Sequence, residues 1–472
     1  MQRTMDARKI ETWLYALWVD SGDLSKDLIE YFADENISTC IWHPANTLGS
    51  LGVLLLGDVN AEVRHFIQEA SQNGLRRLLV VYTAQAALPP DEAHDLLQAG
   101  AADVLIWKDL PDPPAAISAR LKRWASVEEV VESPLVKNNL VGESRAWKAL
   151  LRQIVEIASF TPEQSPAQAR APVLLIGETG TGKELVARLI HSLDPLRSQH
   201  ELMVVDCTTI VPDLSGSELF GHERGAFTGA VNARDGALAM ANHGTLFLDE
   251  VGELTLNLQV QLLRSLQEQT YKRVGSDQWR KTDFRLVAAT NRDLSLEEAQ
   301  GRFRRDLYYR LSTWTFRLPP LRERTGDILH LTRHFMRQDN DGREPPEIDG
   351  LVQKYLVQRA YPGNVRELKN LTARMLTRYV GPGPLTIGDL PLEERVQYLK
   401  QVPSHTDCNL ETSVRQALEQ GADLSTLIER VKYAAYSIAL EEAGSSKQRA
   451  AARLGVSDRT LQMWEKENSG SK

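Results

Sequence analysis

The chain has 472 residues, 42% hydrophobic and 25% charged, with a formal net charge of −8, the balance of a globular protein of about three ordinary domains. The acidic total excludes nonspecific coating of nucleic acid by the whole chain but allows a local basic module, and Cys40, Cys207 and Cys408 are too scattered for a disulfide framework or a zinc site. The N-terminus lacks the basic-then-apolar order of a signal peptide and no apolar run approaches the ~20 residues that span a bilayer, so a cytoplasmic protein without a membrane partner is expected.

Residues 1–124 alternate apolar strands and helical stretches: "LYALWVD" ending a strand at Asp20, then "LGVLLLGD", "RLLVVYTA" and "ADVLIWKD". That order predicts a small parallel α/β domain. Residues 125–138 read as a helical linker. A larger α/β pattern occupies 139–380 and loses its strands after about Asp327. Residues 381–409, from "GPGPLT" on, carry few structure signals and read as a second linker; 410–472 read as helical.

The strongest local signal is "VLLIGETGTGKE". A strand runs into Gly177, Glu178, Thr179, Gly180, Thr181, Gly182, Lys183 and Glu184, and a helix follows. Glycines let backbone N–H groups turn toward phosphate oxygens, and the helix N-terminus adds a favourable dipole. Lys183 supplies a point charge for the β- and γ-phosphates; the general pattern has Ser or Thr where Glu184 stands. A second strand, "GTLFLDE", ends in Asp249 and Glu250, a pair suited to holding magnesium and polarising the attacking water. A third, "RLVAATN", ends in Asn291, whose amide can orient water. Arg304 and Arg310 in "GRFRRDLYYRL" are most useful if presented to a neighbouring subunit's γ-phosphate. Arg366 in "YPGNVRELKN" starts a helix and can reach the nucleotide.

"GETGTGKE", "ELFGHERGAFTGA", "GTLFLDE", "FRRDLYYRL", "LPPLRER" and "YPGNVREL" together resemble the AAA+ domain of sigma-54-dependent transcriptional activators, the NtrC-like bacterial enhancer-binding proteins, in the family's order and over about half the chain. That family usually carries Glu at position 184. The resemblance implies ATP at Lys183 and the loop glycines, magnesium at Asp249, water activation by Glu250, a sensor role for Asn291 and Arg366, and trans-acting arginine fingers at Arg304 and Arg310 of a ring, usually hexameric. It further implies that Gly225, Ala226, Phe227, Thr228, Gly229 and Ala230 form the loop that touches sigma-54, with Phe227 and Thr228 at its tip and Phe227 an exposed apolar anchor. Where the family commonly has an Asn bonded to the water-activating Glu, this chain has Asp206. An Asp cannot donate through an amide, so it either acts through water or repels Glu250.

The C-terminal "SSKQRAAARLGVSDRTLQMWEKE" reads as helix, turn, helix and resembles the family's Fis-like DNA-binding domain. Lys447 and Arg449 lie nearer phosphates, Ser457 caps the second helix, and Arg459, Thr460, Gln462 and Lys466 face the major groove. The N-terminal domain resembles a response-regulator receiver whose acid site is degenerate. Thr83 and Lys108 take receiver positions, but Ser21 follows Asp20 where a second acid belongs, and Gly57 stands at the phosphoacceptor position with Asp58 one residue on. The expected whole is a receiver-like α/β domain, an AAA+ P-loop ATPase domain with a helical subdomain and a helix-turn-helix. Its expected partners are sigma-54 RNA polymerase, upstream double-stranded DNA and its own copies, from dimer to hexamer. A different AAA+ machine has no reason to carry "GAFTGA", and a repressor with a decayed ATPase has none to keep Lys183, Asp249 and Glu250.

Overall fold

The computed structural model describes residues 10–17, 22–41, 50–72, 75–159, 170–210, 215–339, 344–401, 414, 417–418, 423–442 and 446–457. Five strands come first: β1 (Ile10–Leu17), β2 (Ile37–Ile41), β3 (Leu51–Leu56), β4 (Arg77–Tyr82) and β5 (Asp103–Ile106). They form one parallel sheet in the order β2-β1-β3-β4-β5. β3 and β4 are buried along their whole length, as expected where helices cover both faces. Trp13 lies flat on Gly52, where a Cβ would come within 2.1 Å of the indole. β1 stops at Leu17, so the predicted strand end at Asp20, and Ser21 beside it, lie outside the described residues.

The second sheet contains β6 (Val173–Ile176), β7 (Leu202–Asp206), β8 (Thr245–Asp249), β11 (Arg285–Thr290) and β12 (Trp314–Arg317), in the order β12-β6-β11-β8-β7, all parallel. A two-stranded hairpin, β9 (Thr270–Tyr271) with β10 (Arg280–Lys281), stands apart from it. In register, Thr290 faces Ile176 and Asp206 faces Asp249. The polar residues that follow β6, β8 and β11 therefore emerge at one carboxyl edge, where open α/β sheets bind ligands. Beyond it the chain turns helical as expected, with helices Ile328–Asp339, Gly350–Gln358 and Asn364–Arg378.

One helix, Pro113–Val131, serves both sheets. Ile117, Leu121 and Trp124 pack in the first core, Val127 and Val131 in the second. The stretch read as a linker from residue 125 thus continues this helix; no Gly or Pro interrupts it before Pro134. A group of charges lies alongside. Arg77, at the start of β4, contacts Glu128 at 3.4 Å and Glu156 at 3.1 Å. Arg152 holds Glu128 at 2.5 Å and donates to the Leu75 carbonyl at 2.7 Å. The side chains of Arg77, Glu128 and Arg152 are each no more than 10% exposed.

The chain divides into two units, Met1–Leu390 and Pro391–Lys472. The segment after "GPGPLT" is more ordered than its sequence suggested. Thr386 and Asp389 form a reciprocal capping box on a short turn, and a helix spans Leu392–Gln401. In the second unit, helices Leu424–Glu442 and Lys447–Leu454 pack through Ala439, Ala450 and Ala451. The latter helix ends at Gly455, whose φ of +66° permits the left-handed turn. Among the described residues, no helix is long and apolar enough to cross a membrane.

Candidate nucleotide site and its neighbouring loop

β6 delivers the chain to Gly177, whose N–H donates to the Thr290 carbonyl at 3.1 Å. Gly180 and Gly182 have φ of +79° and +104°, conformations that cost other residues dearly. A Cβ on Gly180 would also strike the Gly363 carbonyl at 2.2 Å, so the loop lies tight against the start of the helix Asn364–Arg378. The helix Lys183–Leu193 follows directly. Lys183 is 7% exposed and donates to the Gly177 carbonyl at 2.9 Å and to Glu250 at 3.3 Å. Thr181 is buried and donates to the Glu178 carbonyl.

Asp249 ends β8, and Glu250 follows with φ of +52°. One Glu250 oxygen faces Lys183; the other accepts the Asn291 backbone N–H at 2.9 Å. The Asn291 amide reaches the Thr179 hydroxyl at 3.3 Å. Lys183, Asp249, Glu250, Asn291 and the glycine loop are thus brought together. Burial, and then the neighbouring Glu250 charge, push the Asp249 carboxyl above the usual carboxylate range, with Lys183 pulling the other way. Asp206 spends its carboxylate on its own turn, accepting from the Thr208 N–H at 2.9 Å and hydroxyl at 2.7 Å. Its charge adds a smaller upward push on Asp249.

Other predicted residues have other engagements. Glu184 pairs with Arg188 on the exposed side of its helix. Arg304 makes two bonds to Asp306, at 3.0 and 2.6 Å, and Arg310 donates to the Leu266 carbonyl; both are exposed. Arg366 is exposed, and its backbone N–H donates to the Gly180 carbonyl at 3.4 Å. Glu178 is held by Arg322 and Asn364, partners that the sequence reading missed although both stand inside motifs it quoted. Arg324, also inside one of those motifs, is 2% exposed and lies 4.1 Å above the Trp147 ring. Burial lowers this guanidinium to about 10. Arg324 joins Val141, Leu185, Leu331, Phe335 and Val365 in lining a cleft beside Gly182.

The loop Gly225–Ala230 closes on itself. The Gly225 N–H donates to the Ala230 carbonyl at 2.8 Å and the Ala230 N–H to the Phe227 carbonyl at 3.0 Å. Gly225 and Gly229 are both left-handed. Phe227, expected to stand free at the tip, is half-buried instead, because the His222 ring meets it edge-on with centroids 5.0 Å apart. The loop is rooted on the β9–β10 hairpin. The Glu223 N–H donates to the Val274 carbonyl and the Val274 N–H to the Gly221 carbonyl, while the Glu223 carboxylate pairs with Arg273 and Arg280.

At the corresponding edge of the first sheet, Asp58 is exposed and accepts the Val59 N–H. The Thr83 hydroxyl donates to the Leu56 carbonyl, and Lys108 to that of Gln85. In the second unit Arg449 and Ser457 are exposed and Lys447 opens a helix; Arg459, Thr460, Gln462 and Lys466 lie outside the described residues.

Family comparison agrees with this geometry. A model of the sigma-54 interaction domain matches residues 140–317, and one of the AAA+ ATPase lid domain matches 322–406. The chain is similar to the transcriptional regulatory protein ZraR of Klebsiella oxytoca, 36% identical over 454 residues that cover 91% of this chain and 96% of that one. It is 36% identical over 404 residues to the response regulator protein PilR of Pseudomonas aeruginosa, covering 84% and 83%. To the Nif-specific regulatory protein of Bradyrhizobium diazoefficiens it is 45% identical over 249 residues, 52% of this chain and 41% of that one. With a buried lysine and two acids gathered under a left-handed glycine loop, and likeness running nearly end to end with ZraR, the chain belongs to the sigma-54-dependent, NtrC-like transcriptional activators, whose AAA+ domain is an ATPase.

Proposed function

We propose that this activator binds DNA upstream of its promoters through the C-terminal helix pair, assembles into a ring, and couples ATP hydrolysis to remodelling of the closed sigma-54 RNA polymerase complex in the cytoplasm. The observation that carries the reading is the Lys183–Glu250 contact at the carboxyl edge of the second sheet. The Lys183 ammonium donates to the Glu250 carboxylate. Phosphate oxygens compete for the same ammonium, so their arrival frees Glu250 to take the proton of the attacking water. The Asn291 N–H keeps that carboxylate aimed while the exchange occurs.

The residues present fit magnesium. Asp249 is a hard oxygen ligand beside a glycine cradle, and magnesium needs only one or two carboxylates when substrate phosphates complete its shell. When bound, the ion neutralises charge developing on the phosphates. Arg304 and Arg310 are exposed on the ring-forming domain, as suits groups that act on a neighbouring copy's substrate. Gly225–Ala230 serves as the sigma-54 contact. Phe227 leaves His222 to anchor in the partner, since a few well-packed side chains carry most of the energy of an interface. The domain boundaries 1–124, 139–380 and 410–472 serve this scheme as regulatory, motor and DNA-binding parts.

Phe227→Ala tests the coupling. ATP turnover stays within about twofold of wild type while open-complex formation at a sigma-54 promoter falls by more than ~10-fold. Unchanged transcription would give the loop some other task and favour a different AAA+ machine.

A further inference from the structure

Glu178 brings a negative charge into the phosphate loop. It stands between Gly177 and Thr179, in the turn whose backbone is to receive a polyanion, and a carboxylate there opposes that anion through simple Coulomb repulsion. The structure shows how the charge is met. The Arg322 guanidinium donates to both Glu178 oxygens, at 2.9 and 2.7 Å. The Asn364 amide donates to the same carboxylate at 3.1 Å and to the Thr179 carbonyl at 3.1 Å. Together these bonds hold Glu178 below the usual carboxylate range, Arg322 contributing most.

The two partners differ in kind. Asn364 is 1% exposed and left-handed, with φ of +51°. Its oxygen accepts the Leu321 N–H at 2.8 Å, so both ends of the amide are used and it pins the phosphate loop to the root of the helical part. Arg322 and Glu178 are 63% and 43% exposed. An ion pair so open to water adds little to stability but is easily broken and remade. Its effect is therefore sought on the ligand, not on the fold.

We propose that Arg322 is a positioning residue for the nucleotide: it neutralises Glu178 beside the phosphates and, with Asn364, ties occupancy of the phosphate loop to placement of the helical part. The proposal rests on the reading of this loop as the ATP site. It makes an asymmetric prediction that a structural brace does not. Removing the cation leaves the Glu178 charge in the phosphate loop met by the Asn364 amide alone; removing the carboxylate relieves the repulsion.

The test uses the full chain and three variants, Arg322→Gln, Glu178→Gln and the double substitution, with Arg322→Lys as a control that keeps the charge but not the fork. ATP hydrolysis gives kcat and KM, and a fluorescent ATP analogue gives affinity independently of hydrolysis. Arg322→Gln raises KM and analogue Kd about 3- to 10-fold with kcat within about twofold. Glu178→Gln lowers both constants, and the double variant returns to within about twofold of wild type. Arg322→Lys falls between wild type and Arg322→Gln. A double variant as impaired as Arg322→Gln would overturn the proposal by showing that Arg322 acts on the nucleotide directly or on folding. Unchanged constants in Arg322→Gln would overturn it as well. If wild type binds the analogue without hydrolysing ATP, the ATPase reading fails while the affinities still decide the role of Arg322.

Discussion

Both sheets of the first unit have five parallel strands and a carboxyl edge where chemistry can collect, yet among the described residues the two edges use their polar groups differently. On the ATPase sheet, Lys183, Asp249, Glu250 and Asn291 meet within a few ångströms of one another's partners, with one cation serving a half-buried carboxylate. On the N-terminal sheet, Thr83 and Lys108 spend their donors on the carbonyls of Leu56 and Gln85, and Asp58 faces solvent. The architecture is shared; what differs is whether polar groups are left with something still to bind. Fold alone does not confer a site.

The comparison breaks most sharply at Lys183. Lys183→Ala should reduce ATP turnover by more than ~100-fold, whereas wild type should turn over faster per subunit as concentration rises and rings form. Residual turnover near wild type would move the chemistry away from this edge.

A smaller effect is expected at Asp249. The fold raises its pKa above the unfolded value, so the folded chain holds that proton more tightly. The resulting stability is present below the ordinary carboxylate pKa and is lost as pH climbs through the raised one; at neutral pH the ionised group is a net cost. Asp249→Asn should therefore raise Tm at pH 7 by about 1–3 °C, with the gain vanishing as the pH falls toward 4. A lower Tm at pH 7 would show that Lys183 outweighs burial.

The smallest effect belongs to the other sheet. Asp58→Asn should leave ATP turnover and transcription within about twofold of wild type. A strong loss would restore this edge as a phosphorylation site and erase the contrast between the sheets.

How much of this was legible in the sequence follows from how local each requirement is. A phosphate loop must be written contiguously, as strand, glycines, lysine and helix, so "VLLIGETGTGKE" exposed both the fold class and the lysine. The acids at the end of β8 were readable for the same reason. The Arg322–Glu178 pair joins residues 144 apart and the Asn364–Glu178 bond residues 186 apart, and no periodicity records such a meeting. Phe227 was misjudged because its cover, His222, comes from the loop's own root, not from a neighbouring strand. The stretch from residue 125 was legible as helical, but not the change of cores that the helix Pro113–Val131 makes between Trp124 and Val127, because one apolar stripe can serve two neighbours without any break in its period.

The charges beside that helix also constrain how relatives of this protein can diverge. Arg77, Glu128 and Arg152 are nearly buried, and Glu156 closes the group. Losing Glu128 alone removes the carboxylate that Arg77 and Arg152 share, which is far costlier than exchanging the whole set for apolar residues. Evolution is thus offered two states and few steps between them. Across divergent relatives these four positions should change as a block, and chimaeras that join the N-terminal domain of one relative to the ATPase of another should fail or succeed according to whether the block is inherited whole.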